Sequence, residues 1–185
     1  TYLRLTSKPV EQSIMSIPDD PAELEKLRLQ VLNGAYCLVD MSSQPGFNPG
    51  SNVVNVFVSG AMVPEAYKAS QSLTKEGIFT NVINVTGPGP LYRKYNEYTR
   101  KTIRTGQDLS KGVSHLMPGA IPGAPVVTIA DAHPHSLAWI GSAMGSKTIP
   151  LGVAEWGQSG NREDLYREYG TDSESIINAC FAALD

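Results

Sequence analysis

The sequence predicts an α/β domain: three layers, with a mostly parallel five-stranded sheet between helices and one edge strand free to run antiparallel. Three observations lead there. Short β-branched runs such as NVVNVFVSG, TNVINVT and PVVTIAD alternate with segments of helical period. These runs are almost continuously apolar, the pattern of strands covered on both faces. Strand–helix alternation then requires right-handed crossovers, which lay helices on either side of the sheet.

Residues 1–33 read as an arm. TYLRLT is a short strand-like run, and KPVEQSIMSIPDDP carries turn residues without a period. A short helix follows in AELEKLRLQVL. Asp19 or Asp20 is placed to cap it, Pro21 suits its first position, and Glu23 and Glu25 suit its positive end. The expected domain occupies residues 34–185. GAYCLVD is its first strand, joined to the next by the Gly/Pro/Ser/Asn loop MSSQPGFNPGS and therefore free to be the antiparallel edge. After NVVNVFVSG, the residues Val63, Ala66, Tyr67, Ser70, Leu73 and Thr74 recur at helical spacing, and Gly77 is placed as a left-handed stop. TNVINVT is the next strand. GPGPLYRKYNEYTRKTIRT opens as a turn and becomes a helix, with Leu91, Tyr95, Tyr98 and Ile103 near one face. GQDLSKGVSHLMPGAIPGA reads as loop. PVVTIAD and TIPLGVAEWG are strands separated by the helix HPHSLAWIGSAMGS, and NREDLYREYG and DSESIINACFAALD close the chain as helices.

Composition narrows the function classes. The 185 residues carry a formal net charge of -3. That balance argues against a dedicated nucleic-acid binder, for it implies no basic stripe along which phosphates are neutralised. Two cysteines, Cys37 and Cys180, make no disulfide framework and sit in apolar runs, as buried thiols of a reducing, cytoplasmic compartment do. No apolar run approaches the roughly 20 residues of a membrane span.

A doubly wound sheet collects ligands at the carboxyl ends of its strands. Ser59 and Gly60, GPGP, DAHPHS, and Gly157 with Ser159 fall at such ends, where helix amides can meet an anion. Pro88 and Pro90 lack amide protons, so GPGP is better suited to a tight turn. Asp131, His133 and His135 form the one compact polar constellation, open to metal binding, to acid–base or substrate contact, or to capping. Only His115 remains elsewhere, and no metal site is expected. Arg162 and Arg167 have carboxylate neighbours, and Ser159 or Asn161 is placed to cap their helix. Neither a G-x-G-x-x-G, a G-x-x-x-x-G-K-[ST], a G-x-S-x-G nor an H-E-x-x-H motif occurs.

Two long blocks together resemble one known module. VFVSGAMVPEAYKASQSLTKEGIFTNVINVTGPGPLY resembles the opening of the transketolase C-terminal domain, and IPLGVAEWGQSGNREDLYREYGTDSESIINAC resembles its close. Their order and spacing cover most of residues 34–184. YLRLTSKPVEQ, the acidic Pro-rich linker after it and SGNREDL are most similar to the homodimeric 2-oxo-acid (pyruvate) dehydrogenase E1 chains of the thiamine-diphosphate superfamily. Transketolase and deoxyxylulose-phosphate synthase share the module and are the alternatives. The resemblance implies a parent enzyme that uses thiamine diphosphate and Mg²⁺, decarboxylates a 2-oxo acid, transfers the acyl unit to an E2 carrier and works as a homodimer. It implies no cofactor site in this chain, which has no G-D-G motif. Where some E1 members place a substrate-side histidine, this chain has Glu11 and Gln12, so Gln12 is the neutral counterpart there. The implied role is structural: packing on preceding domains and on a partner protomer, with Tyr92, Tyr95, Tyr98 and Trp139 as a candidate dimer contact. The absent initiator Met adds the expectation of a domain excised from a longer chain. Two other classes stay open: an anion- or nucleotide-binding module, and a small enzyme built on Asp131, His133 and His135.

Overall fold

The computed structural model describes residues 9–106, 113 and 115–185. Helix α1 spans Pro21–Asn33 and is capped by Asp20, whose carboxylate accepts from the amides of Ala22 and Glu23. The run TYLRLT lies outside the described residues.

The sheet contains β1 (Tyr36–Val39), β2 (Val53–Ser59), β3 (Phe79–Asn84), β4 (Val126–Ala130) and β5 (Thr148–Leu151) in the order β1-β3-β2-β4-β5. Only β1 runs antiparallel, pairing Tyr36 with Asn84 at the edge, while β3, β2, β4 and β5 are parallel neighbours. Helix α2 is Val63–Lys75, α3 Pro88–Thr105, α4 His135–Met144, α5 Arg162–Glu168 and α6 Ser173–Leu184.

Each sheet face has its own core. Val54, Val56 and Val58 of β2 pack under Ala66 and Leu73 of α2 and Ile176 and Cys180 of α6. Phe57 and Ile83 pack on the other side under Leu91 of α3 and Leu137 and Ile140 of α4. Burial on both faces is what the continuous apolar runs required. At the end of α2, Gly77 (φ 76°) turns left-handed, and its amide and that of Ile78 satisfy the carbonyls of Thr74 and Leu73.

Four segments depart from expectation. Val113, His115 and Leu116 are helical within the stretch read as loop, and Leu116 is buried in the α3–α4 layer. Tertiary burial there outweighs the local Gly and Pro content. GPGP is already the first turn of α3, with Gly87 as its cap and Pro88 at its first position. The last strand stops at Leu151 and does not run to Gly157. A Cβ at Gly152 would stand 2.4 Å from the Ala132 carbonyl, to which the Val153 amide bonds, so the chain folds over the β4 corner. Ile103 is 77% exposed, because it lies some 120° around the helix from Leu91, and Thr102 takes the inward position.

Two asparagines in adjacent strands hold the connection into β4. Asn55 is fully buried. Its amide group donates to the Ile121 carbonyl (2.8 Å), and its carbonyl accepts from the Ile121 amide (2.8 Å). Its register partner Asn81, also fully buried, donates to the Gly119 carbonyl (2.7 Å) and accepts from the Met41 amide (2.9 Å). These bonds give the partly buried backbone of two loops partners that water supplies only in part.

Candidate functional site

The parallel strands end together on one edge of the sheet. The crossover from β2 leads to β3 on one side, and the crossover from β3 returns past β2 to β4 on the other. The switch point therefore lies between Ser59–Gly60 and Asp131, the position where open α/β sheets take ligands.

Ser59 does not offer its hydroxyl there, since its Oγ donates to the Val85 carbonyl (2.9 Å). Gly60 is exposed and left-handed (φ 65°), which lets β2 turn sharply into a 3-10 turn, Gly60–Met62, ahead of α2. Asp131, His133 and His135 are all exposed. The two imidazoles meet edge to face at 4.8 Å, and His133 Nδ1 accepts from the His135 amide (3.3 Å). This contact lies at the start of α4, whose N-cap residue Pro134 offers no side-chain cap of its own. Helix α5 faces the same edge. Burial pushes the Tyr166 hydroxyl above its ordinary range, the nearby charges of Asp131 and Glu65 push it the same way, and Arg162 opposes them.

Gly157 and Ser159 lie exposed in the irregular segment after β5. The cap of α5 is Asn161, whose side chain accepts from the Glu163 amide (3.1 Å), and Arg167 pairs at 4.0 Å with Asp164. Beside them Trp156 is 95% exposed, its carbonyl held by the Tyr169 hydroxyl (3.1 Å). Gln12 sits far from this edge in sequence, on an exposed 3-10 turn, where its side-chain amide donates to the Val10 carbonyl (3.0 Å). Thus His133 and His135 are brought together, Ser59 is bound to its own sheet, and Gly157 and Ser159 face water.

Among the described residues, no group of three or more His, Cys, Asp or Glu side chains converges to hold a metal ion. The aromatic residues pack on their own layer: Tyr95 stacks on Trp139 at 5.1 Å, and Tyr92 meets the same indole edge-on at 5.1 Å. A hollow of about 390 Å³ lies on the α3 side, lined by Asn33, Lys94, Glu97, Tyr98, Lys101, His115 and Leu116, so that Tyr98 of the aromatic group and His115 reach it and the residues of the strand-end edge do not. Cys180 is buried and Cys37 half-buried, and burial pushes both thiols up to about 12, out of nucleophilic range. What the edge presents is an exposed polar surface beside the starts of α2, α4 and α5, and of these three N-cap residues only Asn161 of α5 makes a side-chain cap bond.

A doubly wound sheet of this order, with one antiparallel edge and its polar residues open at the switch point, belongs to the open α/β class whose ligands meet the carboxyl ends of the strands. The sequence places it within that class. The transketolase-like TK C-terminal domain matches residues 34–172, and the chain belongs to that family. It is 26% identical over 190 residues to the pyruvate dehydrogenase E1 component of Mycolicibacterium smegmatis, covering 99% of this chain and 18% of that protein. A putative transketolase C-terminal section from Methanocaldococcus jannaschii is 24% identical over 124 residues, covering 66% of this chain and 34% of that one. The fold is also that of Campylobacter jejuni transketolase (TM-score 0.55, 19% identity, 81% of this chain and 18% of that chain). The chain thus spans 18% and 34% of the lengths of these two curated relatives.

Proposed function

We propose that this chain is the C-terminal domain of a thiamine-diphosphate-dependent 2-oxo-acid dehydrogenase E1 component and that its role is structural. The observation that carries the E1 reading is coverage. The likeness to the pyruvate dehydrogenase E1 component spans 99% of the chain, the arm and α1 included, whereas the likeness to the transketolase section spans 66%. In the parent enzyme thiamine diphosphate supplies the decarboxylation chemistry, and the protein supplies orientation and electrostatics. The residues here do not fit that cofactor by themselves: there is no G-D-G motif, and no convergent metal-binding group occurs among the described residues.

The structural role is supported by what the fold leaves uncovered. None of the residues of α1 is buried, although Leu24, Leu27, Leu29, Val31 and Leu32 occupy more than one of its faces. A helix apolar on several faces is ordinarily enclosed. Ile17 at 69% and Leu32 at 60% exposure continue that surface, and Trp156 stands alone at the strand-end edge. We assign α1 and Trp156 to contacts with the preceding domains and the partner protomer of a homodimeric enzyme that passes acyl groups to an E2 carrier.

Assay of the parent enzyme separates the readings. Release of CO₂ from a 2-oxo acid is expected. Transfer of a ketol unit between sugars without CO₂ release would favour the transketolase alternative.

A further inference from the structure

Helix α3 (Pro88–Thr105) carries Arg93, Lys94, Arg100, Lys101 and Arg104 against one acid, Glu97. Five cations less one anion give it +4, so with the chain at -3 the remaining residues together carry -7. Whole-chain charge had implied no basic stripe; averaging over an acidic protein hid one.

Arg93, Arg100 and Arg104 stand at i, i+7 and i+11, which places them in one row about 16 Å long. All three are exposed, on the side opposite Leu91, Tyr95 and Thr102. Elsewhere the chain pairs such charges within a helix, as α1 does with Lys26–Glu23 at 3.1 Å and Arg28–Glu25 at 2.7 Å. Among the described residues no carboxylate lies within 4.0 Å of Arg93, Arg100 or Arg104. Arg100 and Arg104 are like charges four residues apart, a spacing that disfavours the helix, and a bound anion would offset that repulsion. Ile103 and Tyr92, 77% and 44% exposed, flank the row with apolar surface.

We propose that the outward face of α3 is a docking site for an extended acidic segment of a partner polypeptide. Side chains on one side of an extended strand recur about every 7 Å, so roughly five residues span the row. Carboxylates lie over Arg93 and over Arg100–Arg104, a neutral or basic residue meets Glu97, and an apolar side chain rests on Ile103. A polypeptide fits better than a nucleic acid for two reasons. Glu97 interrupts the row, and a phosphate backbone cannot omit a charge there, whereas a peptide can. The -7 carried by the rest of the chain also repels any polyanion long enough to leave the row. A second copy related by a two-fold axis through α3 would set arginine row against arginine row.

The test is fluorescence anisotropy on the intact chain at low and at near-physiological salt. Three labelled probes of equal length are compared: an alternating Asp/Ser peptide with a central Lys, an all-Asp peptide, and an oligo(dT). The Lys-containing peptide is expected to bind at least threefold tighter than the other two. Combined Arg93→Ala, Arg100→Ala and Arg104→Ala should weaken it at least tenfold, with the circular dichroism melting curve retained. Glu97→Gln should tighten the all-Asp peptide and the oligo(dT) by threefold or more and erase the preference. The proposal is overturned if the triple variant binds as the parent does, if Glu97→Gln leaves the ranking unchanged, if oligo(dT) binds tightest, or if the arginine row instead proves to drive self-association.

Discussion

Replacing Asn55 by Ala removes a buried amide that makes two 2.8 Å bonds to the backbone of Ile121. The loss is not confined to the two bonds. The Ile121 amide and carbonyl are left facing apolar surroundings, at about 1–3 kcal/mol for each unsatisfied group. Ile121 is only partly buried, so water relieves some of this. The expected cost is about 2–4 kcal/mol, which for a chain of this size lowers the melting temperature by about 4–16 °C. Urea unfolding followed by circular dichroism should show a lower midpoint at unchanged slope. Asn81→Ala makes the same experiment on the neighbouring strand, where the bond is to Gly119, two residues before Ile121 in the same connection. Because both side chains grip adjoining turns of one connection, the double variant should fall short of the sum of the singles by about 0.5 kcal/mol or more, as coupled sites do by about 0.5–3 kcal/mol. Single effects below about 0.5 kcal/mol, or strict additivity, would refute the reasoning.

Other perturbations have equally definite outcomes. Gly141→Ala puts a Cβ 1.7 Å from Thr148 Oγ1 and should destabilise by about 1–3 kcal/mol, measurable as a lower urea midpoint. Pairing it with Thr148→Ala, which removes both the hydroxyl 1.7 Å and the methyl group 2.8 Å from that Cβ, should recover part of the loss. Both thiols, pushed to about 12, should resist alkylation at pH 8 in the native state and react fully in urea. Trp156→Phe should change stability by less than about 0.5 kcal/mol while removing the iodide-quenchable part of the fluorescence, leaving the better protected Trp139. Asp20→Ala should loosen α1 by about 1 kcal/mol through loss of its cap, seen as faster amide exchange at Ala22 and Glu23.

Most of the sheet was legible because its signal is local. Val53, Val54, Val56, Phe57 and Val58 are apolar for the plain reason that β2 is covered on both faces. Gly77 and Asp20 were legible because a left-handed stop and a helix cap each demand particular residue types. Asn55 and Asn81 were not. In an apolar strand an asparagine looks like a weak strand former, and its partners Ile121 and Gly119 are 66 and 38 residues away. The early end of β5 was hidden for a related reason, since it depends on the Ala132 carbonyl crowding Gly152. At the strand-end edge, DAHPHS announced polar chemistry, but only geometry showed that His133 spends its Nδ1 on a backbone amide. The basic row on α3 was readable from spacing alone and was masked by the net charge of the chain.

The proposed structural role requires that this domain help assemble a thiamine-diphosphate enzyme without holding the cofactor itself. Isothermal titration of the chain with thiamine diphosphate and Mg²⁺ tests it most directly. No heat of binding beyond dilution is expected, whereas saturable, tight binding by this chain alone would overturn the structural role.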